Sequence, residues 1–232
     1  MSVPVVAFIG LKGGQGKTTL VHHLAWMFAD LGARVIAADL DPQSALTQSL
    51  LGVDEAQSLA DAGRTVYGGL RRLVEGQDEL DEVHLEPVAE RFALIAGDLD
   101  LFLAEEALDH AWKLAPTGDH RAGVAVTAFR RIFEEAAKRH DADVILVDLA
   151  SGFGAIQRTA LAASDAFVVP VMADALAVQT LRFLGEKLDR WREEWRTRAS
   201  AIPGLSASLP SDAPRPLGYV VNGFAPRGGP SA

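Results

Sequence analysis

The chain has 232 residues, 49% of them apolar, which is enough to bury one large core. Its 31 acidic residues outnumber the 22 basic ones for a net charge of -9, so any attraction to nucleic acid or an anionic membrane has to come from a local patch. The absence of cysteine excludes disulfides, iron-sulfur clusters and thiolate metal sites.

The chain opens on an apolar run, VPVVAFIG (3–10), with no basic segment ahead of it. No stretch approaches the ~18 uninterrupted apolar residues of a membrane span, so a soluble, cytoplasmic protein is expected. The run leads into GLKGGQGKTT (10–19) and then into helical periodicity over 17–31. A strand, a glycine-rich turn and a helix in that order aim backbone N–H groups and a helix N-terminus at a phosphate chain. The candidate nucleotide-binding set is Gly13, Gly14, Gln15, Gly16, Lys17, Thr18 and Thr19. Lys17 is expected to reach the β and γ phosphates, and the Thr18 hydroxyl is placed for Mg²⁺. The strict pattern GxxxxGK[ST] fails at Leu11, and a second lysine, Lys12, precedes the glycines.

A second strand is predicted over 33–40, ending in AADLDPQ. Asp39 and Asp41 are two residues apart, so a regular strand would point both to one side, toward the phosphate end of the sheet. Residues 53–90 are less regular and are expected to form an excursion of the same domain, with a helix over 65–75 and an edge strand over 82–86. Further strands are predicted over 91–97, 142–150, 166–172 and 217–224, and helices over 99–114, 123–139, 156–163 and 175–198. The strand DADVILVDLA places Asp148 at its C-terminal end, where a carboxylate can hold Mg²⁺ through water. Residues 199–216, rich in Pro, Ser and Ala, are expected to be a long surface loop. The alternation of strands and helices predicts an α/β fold, a mostly parallel twisted sheet with helices on both faces, as one domain over residues 1–232.

KGGQGKTT, DLDPQSA and VILVDLA together resemble the deviant Walker A, switch and Walker B motifs of the ParA/MinD group of P-loop ATPases, closest to the ParA-like partition ATPases. The order of elements follows that family from Val5 to about Phe224. The resemblance implies a P-loop NTPase fold, ATP and Mg²⁺ as cofactors, and a homodimer that forms on ATP binding. By the same resemblance Lys12 acts on the partner subunit's phosphates, Asp41 orients or activates the attacking water, and Asp39 and Asp148 support the magnesium shell. GYVVNGF resembles the family strand whose asparagine contacts the adenine, which assigns Asn222 to the base and Pro170, Val171 and Met172 to the nucleotide wall. The chain departs from the family at Ser44-Ala45, where Gly-Asn is common, and at Ala150-Ser151-Gly152, where Pro-Pro-Ser is usual.

The function so implied is a nucleotide switch in DNA or cargo positioning, with ATP hydrolysis stimulated by a cargo-bound adaptor and possible association with the nucleoid. Candidate DNA contacts are Arg182, Lys187, Arg190 and Arg196 on the helix 175–198, where Glu186, Asp189, Glu193 and Glu194 are interleaved; a mixed, solvated face is the competing reading. Trp191 and Trp195 fall on its apolar stripe and read as core. A biosynthetic enzyme of the same P-loop group, such as an amidoligase or a dethiobiotin-synthase-like protein, is the first alternative. A MinD-like membrane-surface ATPase is the second, and residues 225–232 are too short for the amphipathic tail it needs, so no membrane partner is expected. His22 and His23, adjacent on a helix, read as packing or surface residues.

Overall fold

The computed structural model describes residues 3–201 and 213–223, without the side chains of 175, 176, 180 and 192–201. In chain order the elements are β1 (Val5–Phe8), α1 (Lys17–Asp30), β2 (Val35–Leu40), α2 (Ala45–Leu51), α3 (Val53–Asp61), α4 (Val66–Val74), β3 (Glu86–Ala89) and β4 (Phe92–Ile95). They continue with α5 (Phe102–Leu114), α6 (His120–His140), β5 (Val144–Leu149), α7 (Ala155–Ala162), β6 (Ala166–Met172), α8 (Ala175–Ala201) and β7 (Arg215–Asn222). The described strands form one sheet in the order β3-β4-β2-β5-β1-β6-β7, parallel throughout except for β3.

Strand side chains alternate between two apolar layers, as a period of two requires. On one face Ile36, Ala38 and Leu40 of β2 pack with Leu70, Phe129 and Phe133 of α4 and α6. On the other, Val35 and Ala37 of the same strand join Val21 and Ala25 of α1, Leu46 of α2 and Leu59 of α3. Both faces are therefore covered, which is why the strands read as unbroken apolar runs.

The excursion differs from its expected form. It holds two helices, α3 ahead of the expected one, which forms as α4, and the edge strand lies at Glu86–Ala89 rather than 82–86. Val83 is instead buried in the core, and Pro87, which lacks a ladder donor, sits at the sheet edge beside a bulge. Helix α6 begins at His120, three residues early, because the Asp119 carboxylate accepts from Ala122 N at 2.7 Å. β7 takes up Arg215 and Pro216 of the expected loop, of which residues 202–212 lie outside the described residues.

Candidate functional site

β1 lies between β5 and β6 at the centre of the sheet, and its C-terminal end runs straight into the glycine turn and α1. Ligands of open parallel sheets bind at this end, where helix N-termini converge. A cleft of about 610 Å³ opens here, lined by Gly13 to Thr19 of the turn, Asp41 to Gln43, Phe102 and Glu105 of α5, and Ser151, Gly154 and Gln157. The turn is held from beneath. Gly16, at φ 79°, takes the left-handed conformation, and a side chain there would come within 2.7 Å of Asn222 Nδ2. Asn222 Nδ2 in turn donates to Gln15 O at 2.7 Å.

Lys17 is buried and donates from Nζ to Ser151 Oγ at 2.8 Å. Burial lowers its pKa, and the charges of Asp148 and Asp41 oppose that shift. Asp148, at the end of β5, is wholly buried, and neither of its carboxylate oxygens has a hydrogen-bond partner of regular geometry among the described residues. Burial first and the nearby Asp39 second push its pKa up to about 7, while the Thr18 hydroxyl and Lys17 pull the other way. A buried carboxylate with two unused oxygens beside the Thr18 hydroxyl is the donor set that a hard divalent cation satisfies. No group of three or more His, Asp or Glu side chains among the described residues is arranged to hold a metal by itself.

β2 ends at Leu40 and Pro42 follows, so Asp39 is the penultimate residue of the strand and Asp41 lies just beyond it. Asp41 lines the cleft and accepts from Gln43 N at 2.9 Å. Asp39 sits beneath it, fully buried, directly beside Asp148 in the ladder. Its Oδ2 accepts from Thr47 N at 2.8 Å and Thr47 Oγ1 at 2.7 Å, and its Oδ1 accepts from Asp41 N at 3.2 Å. Burial raises its pKa to about 6 against the pull of those bonds. Ser44 occupies the left-handed region at φ 50°, a conformation in which glycine carries no strain.

The remaining sequence-predicted residues are more dispersed. Thr18 and Thr19 line the cleft, whereas Lys12 is exposed outside its lining. Pro170 and Val171 are buried within β6 and do not line the cleft, and Met172 is half-buried at the strand's end. Arg182 and Arg190 are exposed on α8 among the equally exposed Glu186 and Asp189, and Lys187 is half-buried with its Nζ 5.6 Å from the Phe183 ring centre. Trp191 packs edge-on against Phe153. Arg196 and Trp195 lie outside the described side chains. His22 Nδ1 pairs with Ser49 Oγ at 3.0 Å on the surface.

Sequence reasoning missed Ser151, Glu105 and Thr47. Ser151 was visible as a departure from Pro-Pro-Ser. Glu105 meets the α7 amides, and Thr47 meets Gly97 N, across 50 residues of chain. No described helix is long and apolar enough to cross a membrane.

Comparison with known proteins agrees with this geometry. The family described as "AAA domain" matches residues 3–200. A putative replication protein A of Rhizobium rhizogenes is 30% identical over 229 residues, 97% of this chain and 52% of the relative. The chromosome-partitioning ATPase Soj of Thermus thermophilus is 32% identical over 187 residues, 81% of this chain and 62% of Soj. A crystal structure of a Corynebacterium diphtheriae protein superposes with a TM-score of 0.85 at 24% identity, covering 94% of this chain and 80% of that one. The chain spans about half the length of the curated relatives it matches.

Proposed function

Because the chain belongs to the AAA-domain family and is a P-loop ATPase of the ParA/MinD type, we propose that it binds ATP with Mg²⁺, pairs face to face with a second copy while ATP is bound, and separates after hydrolysis. The observation that supports this reading is the cleft itself, lined by Lys17, Thr18 and Asp41, with the buried Asp148 carboxylate close to Lys17 and the Thr18 hydroxyl. In this reading the amides of Gly13 to Thr18 cradle the phosphates, Lys17 exchanges its Ser151 contact for the β and γ oxygens, and Thr18 and Asp148 hold the cation. Asp41 positions the attacking water, and Asp39 acts through Asp41 by fixing its backbone. The bound cation would supply charge neutralisation at the phosphates.

Lys12 is exposed at the mouth of the site and free to extend across an interface, so its role is assigned to the neighbouring subunit's phosphates. Asn222 donates to the turn at Gln15 O, and the resemblance assigns it to the adenine. The finer biological role is positioning of DNA or cargo, as the name of the Thermus relative suggests, with an adaptor that stimulates turnover. Arg182, Lys187, Arg190 and Arg196 are the candidate DNA contacts. A gel shift with ATP across a salt series tests that part: no binding at low salt removes it.

The decisive experiment is the mass in solution, by light scattering, with ATP, with ADP and without nucleotide. A dimer confined to ATP supports the switch. A mass independent of nucleotide, with ATP consumed only when a carboxylate substrate is added, would replace it with the biosynthetic alternative.

A further inference from the structure

We infer that Glu105 is a positioning residue for the phosphate site: it clamps the turn after β5 in place of the prolines that this chain lacks. This rests on the nucleotide-hydrolysing reading above. The turn Leu149–Gly154 carries Ser151 and Gly154 into the cleft lining and is built from small, flexible residues, including Gly152 at φ 120°. Phe153 is anchored by packing edge-on against Trp191, while Ala150, Ser151 and Gly152 are small and include no proline to fix the backbone. Helix α7, which it feeds, has Gly154 as its N-cap and no side-chain cap of its own. Two of its first amides are met from elsewhere: Ala155 N donates to Glu105 Oε1, and Ile156 N donates to Glu105 Oε2 at 3.1 Å.

Both oxygens of a single carboxylate are thus spent on the first turn of α7, from a residue 50 positions upstream in α5. A negative charge there also complements the positive end of the helix. Gly154 is needed for the approach, since a β-carbon at that position would collide with Glu105 Oε1. At its other end the turn is tied to the phosphate loop by Gly152 N, which donates to Gly10 O at 3.0 Å, and by the Lys17 contact to Ser151. Nucleotide phosphates draw Lys17 away from Ser151, and from then on Glu105, the Gly152 amide and the packing of Phe153 on Trp191 hold the segment that faces the terminal phosphate.

A second consequence follows from charge. Glu105 lines the cleft while occupying the α7 N-terminus, so that helix end is closed to phosphate, and α1 supplies the anion site. Removing the carboxylate therefore does not weaken nucleotide binding; it loosens the geometry of the reacting end.

The test compares wild type, Glu105→Ala and Glu105→Gln. Affinity is read with a fluorescent ATP analogue and Mg²⁺, kcat and KM by phosphate release, and local order by amide hydrogen exchange of the nucleotide-free protein. We expect Glu105→Ala to lower kcat roughly tenfold or more with KM unchanged or lower. Exchange at Ala155 and Ile156 should rise about tenfold while α1 keeps its protection. Glu105→Gln, which retains one acceptor, should recover part of both. A wild-type kcat in Glu105→Ala overturns the inference, as does a raised KM with exchange faster throughout the molecule, which marks a general structural role. Failure of the wild type to bind ATP would instead overturn the nucleotide reading, and exchange at Ala155 and Ile156 would still report the clamp.

Discussion

Thr47→Val isolates the polar joint under the switch segment without changing its volume. Thr47 Oγ1 donates to Asp39 Oδ2 at 2.7 Å and accepts from Gly97 N at 2.9 Å, and all three groups are buried. Valine removes both bonds. The amide of Gly97 is then buried without a partner, at a cost of about 1–3 kcal/mol, and the carboxylate loses one charge-assisted bond worth about 1.5–3 kcal/mol. The second loss is capped, because Asp39 already titrates near pH 6 and can take up a proton instead of remaining charged. The expected net cost at pH 7 is therefore about 3 kcal/mol, with no cavity contribution. Urea unfolding reads it: at an m-value of about 3 kcal/mol per molar, the midpoint falls by about 1 M. Thr47→Ser keeps the hydroxyl and loses one methyl, about 1 kcal/mol. A valine variant within about 1 kcal/mol of wild type, or a serine variant less stable than the valine one, would refute the two-bond reasoning. Gly97 leaves no room for compensation, since a β-carbon there would lie 2.9 Å from Asp39 Cγ.

Three further outcomes are expected at the phosphate site. Lys12→Ala should leave the fold intact, because Lys12 is exposed, but abolish the ATP-dependent dimer in light scattering and lower turnover about a thousandfold; normal dimerisation removes its role in trans. Asp41→Ala should retain ATP binding and the dimer and lose turnover by about a hundredfold, measured as phosphate release. Asp148→Asn removes a wholly buried charge without regular hydrogen-bond partners, so the nucleotide-free protein should unfold about 1–2 kcal/mol harder in urea. The same variant should lose the Mg²⁺-dependent part of nucleotide affinity in titrations with and without chelator, and a destabilised Asp148→Asn protein would contradict the description of Asp148 as an unsatisfied charge.

What was legible in the sequence was what local chemistry writes locally. Val5–Phe8, Val35–Leu40 and Val144–Leu149 are buried on both faces and read as apolar runs, and the phosphate turn announces itself through Gly13, Gly14, Gly16 and Lys17 within one loop. Period-two alternation holds only while the strand lasts, and it stops at Leu40, so Asp39 is fully buried while Asp41, two residues on, is only half-buried. Within 53–90 the helix α3 is not legible because it is short; Ala56 and Leu59 are its only buried side chains, too few for a periodic signal. Glu105 was invisible for another reason. Its partners are backbone amides, which every residue carries, so no side-chain pattern could mark the pair before the fold brought α5 against α7.

The site also explains where this fold carries its strain. Asp39 and Asp148 stand side by side at the ends of two central strands, both fully buried, a pairing that the sheet alone disfavours. Asp39 is reconciled to its position by Thr47 and the Asp41 amide, and its carboxylate has become part of the framework. Asp148 has a sparser provision, the Thr18 hydroxyl and the charge of Lys17. In the proposed function Asp39 holds the switch segment in place, and Asp148 is available to a cation that arrives with the phosphates.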